Sequence, residues 1–278
     1  MFTYVTLHLL NHSLGILGWQ AMQKGGFYAA LVWRSLPGTV LLYGAFMIHF
    51  LLALWDLYQR RCFRMGWSEG SRLILGFSIL PLLVHHYVAQ RYVYSAYDVH
   101  RSYDEILYVE FYLVPLLGVR QGLVLLVAWV HGCMGLHYWL RLTSFYRSFA
   151  PLLIGASVLL PALALLGVAQ GARQIGMLAQ ADPAWLEALA TSAHLNNQPM
   201  ADRQWQVEIW LYLVYADAIL VVFMARALRA FVEHKPRWIA ITYPDARSMQ
   251  MDQLYDVKPS ISGGEIPERE DRISSHGP

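Results

Sequence analysis

Residues 123–141, LVLLVAWVHGCMGLHYWLR, constrain this chain more than any other stretch. The run is long enough to cross a bilayer, and backbone in hydrocarbon satisfies its own N–H and C=O groups only as a helix or a closed barrel. Yet it carries two histidines, His131 and His137. A polar side chain left unpaired at mid-depth costs several kcal/mol, so an ionisable group kept there has a use. Small residues surround His131 (Gly132, Cys133, Gly135) and let a bulky group or another backbone come close.

Five more apolar segments approach spanning length, giving six in all, at about 2–20, 38–58, 72–91, 119–141, 151–171 and 206–228. Only 14% of the 278 residues are charged, against about a quarter in a soluble domain of this size. The expected fold class is therefore all-α, a polytopic membrane helical bundle with six transmembrane helices. The first run lacks a basic n-region and a small-residue cleavage site, so it reads as a mature helix. Arg60, Arg61, Arg64 and Arg72 cluster in one connection, Arg141 and Arg147 in another, and Arg226, Arg229, Lys235 and Arg237 follow the last segment. The 92–118 connection is acidic instead. The positive-inside rule thus puts both termini in the cytoplasm, and the 21–37, 92–118 and 172–205 loops outside. In the last of these, Asp182-Pro183 reads as a helix start, a capping Asp before a proline at the first helical position. A membrane domain over 1–230 is expected to give way to a polar, Gly/Pro/Ser-rich cytoplasmic tail over 231–278.

Two cysteines without CxxC spacing, Cys62 and Cys133, support neither a disulfide framework nor a zinc or iron–sulfur site. A net charge of +2 without a basic, aromatic-interleaved patch argues against a nucleic-acid partner.

Histidines recur through the first four segments. His8 and His12 lie four apart on one helix face. His49 sits in the middle of the second segment, and His85 and His86 follow Pro81 in the outer part of the third. His131 and His137, six apart, are separated by about 120° around the helix axis. A single such histidine is ordinarily a hydrogen-bonded packing residue; a set on four consecutive segments points to ligation. Neutral imidazole binds haem iron axially, and a helical bundle offers a porphyrin an apolar slot. His49 lies eleven residues before Arg60 and His131 ten before Arg141, so their depths match. His12 and His86 fall in the outer half. Two levels follow, allowing two b-type haems with metal ligands His12 and His86, His49 and His131. His8, His85 and His137 stand as substitutes or as hydrogen-bond partners to propionates or a quinone. Arg91 and Arg120, with Arg101, flank the outer side as propionate partners or plain interfacial anchors. The tyrosine-rich segment after Arg91 suits a quinone pocket or an aromatic belt equally. A transition-metal transporter usually adds carboxylate or sulfur ligands in the membrane, and here only Asp217 lies deep, with Asp56 nearer the inner end.

LHLLNHSLG, YGAFMIHFLLALWDLYQRR, LPLLVHHYVAQR, GVRQGLVLLVAWVHGCMGLHYWLR and ADPAWLEAL together resemble the six-helix dihaem b membrane anchor of bacterial class III adenylate cyclases. That anchor is related to the cytochrome b subunits of succinate dehydrogenase and fumarate reductase. The resemblance covers about residues 1–243, with matching positions at His8, His12, His49, His86, His131 and His137. It implies a bacterial inner-membrane protein that senses, or exchanges electrons with, the quinone pool and relays redox state to a cytoplasmic cyclase or redox partner, a homodimer being one allowed assembly. RWIAITYPDARSMQM is similar to the opening of the family's ferredoxin domain, but no cluster cysteines and no cyclase domain follow, so no enzymatic activity is expected of this chain alone. The other expectations are an electron-transfer subunit of a succinate dehydrogenase-like complex, and a haem-free scaffold or transporter.

Overall fold

The computed structural model describes residues 1–233, and every regular element among them is a helix. Most of them belong to a compact unit of Met1–Arg60 and Gly66–Lys235. The expected tail over 231–278, with its vestigial ferredoxin opening, lies outside the described residues from 234 on.

Among the described residues ten α-helices follow one another: α1 (Phe2–Ser13), α2 (Trp19–Trp33), α3 (Leu36–Gln59), α4 (Trp67–Tyr87), α5 (Val93–Tyr97), α6 (Tyr103–Tyr108), α7 (Pro115–Leu140), α8 (Ser144–Ala181), α9 (Pro183–Ser192) and α10 (Gln198–Val232). Five are long and apolar enough to cross a membrane: α3, the run Trp67–Tyr97 beginning with α4, α7, α8 and α10. These match five of the six expected segments, and α8 and α10 extend well beyond the ranges 151–171 and 206–228. At 1.5 Å per residue α8 is roughly 57 Å long against a hydrocarbon core of about 30 Å, so it projects from the bilayer.

The first expected span, 2–20, is not a single long helix. α1 stops after twelve residues, a 3-10 turn covers Leu14–Leu17, and Gly18 turns the chain at φ 123°, a conformation that only glycine adopts cheaply. The supposed loop 21–37 is then mostly α2, which continues to Trp33. Only Arg34 and Ser35 connect it to α3, where the Ser35 hydroxyl accepts from Gly38 N at 3.2 Å and Pro37 occupies the first turn. The 92–118 connection is also helical, through α5 and α6. Two π-helical turns interrupt this region, at Val88–Tyr92 and at Val109–Leu113. The Asp182-Pro183 start does form as read, since Asp182 Oδ1 accepts from Trp185 N at 3.0 Å.

Packing is tightest where small residues meet. A Cβ on Gly15 would lie 2.3 Å from the Gly167 carbonyl oxygen, and one on Gly167 only 2.1 Å from the His12 oxygen. The end of α1 therefore crosses α8 backbone to backbone. Below this crossing Leu9, Trp129 and Ala164 form one core; above it Met22, Leu107, Ala172 and Ile175 form another.

Candidate functional site

Pro81 in α4 has no N–H, which frees the Phe77 carbonyl one turn earlier. Tyr215 of α10 donates its hydroxyl to that oxygen at 2.6 Å. Arg120 of α7 donates to the Pro81 and Leu82 carbonyls at 2.8 and 3.0 Å and to the Tyr212 hydroxyl. These bonds tie α4, α7 and α10 together one turn ahead of His85 and His86, which the helix turns to different neighbours.

His86 faces α1. Its ring centroid lies 5.9 Å from that of His8, and His8 is 4.4 Å from His12, with the two Nε2 atoms 3.1 Å apart. Three half-buried imidazoles thus gather at one level. His12, the expected partner of His86, is hydrogen-bonded to His8, and it is the His8 ring that stands beside His86. Tyr103 closes the cluster, its ring 5.9 Å from His12 and its hydroxyl accepting from Asn11 at 2.8 Å.

His85 faces α10, where Nδ1 meets Oε1 of Glu208 at 2.8 Å. Glu208 is buried, and the sequence reading missed it. A carboxylate three residues inside the sixth apolar segment was the signal available, one turn before Tyr212.

The second level holds His49 and His131, with ring centroids 6.1 Å apart and planes at 76°. α3 packs on α10 and α2, and α7 on α4, so these two rings reach toward each other from separately packed helices. His131 leans on Gly76 of α4, where a Cβ would come within 2.8 Å of its Cε1. His49 is exposed at mid-helix. Nδ1 of His12 is buried with no hydrogen-bond partner among the described residues, a state that a polar or metal partner relieves.

The other expected residues lie apart from these clusters. His137, exposed at the end of α7, pairs with the Tyr146 hydroxyl at 2.6 Å. Arg91 donates to the Thr39 hydroxyl at 3.1 Å and lies over the Tyr43 and Tyr94 rings, while Arg120 serves the α4 carbonyls. In the connection between α6 and α7, burial pushes the Glu110 carboxyl up to about 8, the facing Gln121 side chain drawing it back. Burial likewise raises Glu105, against the backbone hydrogen bond from Ser102.

Both levels suit axial ligation. Two imidazoles bound through one iron at about 2 Å per bond place their ring centroids about 6 Å apart. The 6.1 and 5.9 Å separations meet that spacing, whereas the 3.1 Å between the His8 and His12 nitrogens is shorter than the about 4 Å that two ligands on opposite sides of one iron require. Among the described residues no group of three or more His, Cys, Asp or Glu side chains is placed to hold a metal ion. A porphyrin iron needs only two protein ligands.

Among the described residues, five apolar helices of spanning length define a multi-pass helical membrane protein that carries imidazoles at two levels. Compared with known proteins, the chain matches no family model, no curated protein and no solved structure.

Proposed function

We propose that this chain is a dihaem b membrane anchor that exchanges electrons with, or senses, the quinone pool and relays redox state to a cytoplasmic output. The observation that carries it is the His49–His131 separation of 6.1 Å, with a comparable pair, His8 and His86, at a second level. Residue by residue, His49 and His131 hold the inner haem. His86 holds the outer one with an imidazole of the α1 couple, either His12 as its depth indicates or His8 as its nearness does. The second member of that couple fixes the tautomer of the first through the hydrogen bond between them. Bound haem supplies a one-electron redox centre at each level.

The chain's own residues orient these ligands. Gly76 gives the His131 ring room against α4, Arg120 and Tyr215 hold the part of α4 around Pro81 that leads to His86, and the Gly15–Gly167 crossing sets the position of α1. In this reading α1 and its 3-10 turn make the sixth, short crossing, and both termini face the cytoplasm of a bacterial inner membrane, on the side of the arginine clusters. A cyclase or a redox enzyme is the partner there.

The test is a reduced-minus-oxidised visible spectrum of the purified chain with a haem assay. A b-type α-band and about two haems per chain are expected. Replacing His49 or His131 by Ala should remove one haem and leave the other; a flat spectrum from the unmodified chain ends the proposal.

A further inference from the structure

Arg72 of α4 and Arg141, the residue that ends α7, stand against one ring. Their guanidinium carbons lie 4.0 and 4.5 Å from the ring centroid of Tyr138. Two like charges on one aromatic ring repel each other, and the ring offsets that repulsion only in part. Among the described residues no carboxylate pairs with Arg72, and its Nε is buried there with no hydrogen-bond partner. Glu69, the acid in the first turn of α4, is taken by Arg60 at 2.7 Å. His137, its ring 5.5 Å from that of Tyr138, pairs with Tyr146.

The same two helices complete the cluster. The Tyr138 hydroxyl donates to Ser68 Oγ in the first turn of α4, whose N-cap residue Gly66 supplies no side-chain hydrogen bond. The uncapped amides of that turn and the positive end of the helix dipole add to the two guanidiniums in attracting an anion. Ten residues separate His131 from Arg141, about 15 Å along α7 and half of a hydrocarbon core about 30 Å thick. With His131 at mid-depth, Arg141 falls where hydrocarbon gives way to headgroups. Trp67 and Trp139, one on each helix, are exposed, and tryptophan favours that boundary.

We infer that Arg72, Tyr138 and Arg141 hold the phosphate of an anionic phospholipid between α4 and α7. A guanidinium stacked on a tyrosine keeps its N–H fork free at the edge of its plane, where it matches two oxygens of one phosphodiester. A basic pocket between spanning helices at the cytoplasmic boundary is the kind of site that anionic headgroups fill. Porphyrin carboxylates carry similar oxygens. His49 reaches His131 from α3, however, whereas Arg72 and Ser68 meet Tyr138 from α4, so the cluster is bordered by α4 and α7 and the haem slot by α3 and α7. The inference depends on α4 and α7 crossing the membrane and not on haem.

The test uses the full chain, stripped of lipid in a neutral maltoside detergent and then offered phosphatidylglycerol or phosphatidylcholine, with retained lipid counted by native mass spectrometry. Phosphatidylglycerol should bind more tightly than phosphatidylcholine. Arg72→Gln and Arg141→Gln should each weaken phosphatidylglycerol about fivefold, the scale of one arginine at an anionic lipid surface, and leave phosphatidylcholine unchanged. Arg147→Gln, which removes an exposed arginine from the same end, should leave both affinities as they were. Should Arg72→Gln fail to fold, Arg141→Gln, at the end of α7, carries the comparison. Equal affinity for the two lipids, or a loss no greater than that of Arg147→Gln, overturns the inference. So does loss of haem from the arginine variants with phosphatidylglycerol affinity intact, which assigns the cluster to propionates. A chain that holds no haem yet prefers phosphatidylglycerol refutes the redox proposal and supports this one.

Discussion

Gly167→Ala tests whether the α1–α8 crossing positions the outer imidazoles. The added Cβ would sit 2.1 Å from the His12 oxygen, while ordinary contact begins at 3.4 Å. Because the obstacle is backbone on both sides, side-chain rotation cannot relieve it, and the end of α1 has to retreat by about 1.3 Å to restore ordinary contact. Metal–ligand distances tolerate only about 0.2 Å, so His8 and His12 leave ligation range of the level set by His86. Overpacking of this kind also lowers stability by about 1–3 kcal/mol. The inner pair comes from α3 and α7 and keeps its geometry. Haem per chain should thus fall from about two to about one, with the remaining spectrum matching that of a His86→Ala variant. Gly155→Ala on the same helix is the control, since nothing lies within 4 Å of its Cβ. If Gly167→Ala retains both haems and an unchanged melting temperature, the crossing does not position the site and this reasoning is wrong.

Glu208→Leu should strand the His85 imidazole and destabilise the chain by about 1–3 kcal/mol, a fall of several degrees in Tm, with His85→Leu added on top recovering much of the loss. An unchanged Tm in the single variant would refute the pairing. Glu110 is an acid whose folded pKa lies near 8, above its unfolded value, so folding favours its protonated form and stability should decline as pH rises from about 4.5 to about 8. The decline amounts to at most about 5 kcal/mol, and Glu110→Gln should flatten it; parallel pH–Tm curves for the two proteins would contradict the buried-acid account.

The helical, membrane-spanning character of this chain was legible from residues alone, because backbone in hydrocarbon has so few ways to satisfy itself and long apolar runs cannot hide. A local signal held as well: Asp182 caps α9 through its own side chain. What went unread is where each helix faces. Lipid is as apolar as a packed interior, so the periodicity that separates inside from outside in a soluble helix fades in a membrane one. Hence Glu208 turning inward to His85 and Asp217 turning outward were settled by the packing of α10 on α3 and α4. The break at Gly18 belongs to the same class, since a glycine in an apolar run is ambiguous until another helix, here α8 through Gln174 Oε1 to Trp19 N, rewards the turn. Depth, a one-dimensional quantity, can be counted along the chain, and it placed His49 level with His131. Which imidazoles stand side by side needs the other two dimensions, and it is the packing of α1 that gathers His8, His12 and His86, with the His8 ring 5.9 Å from that of His86.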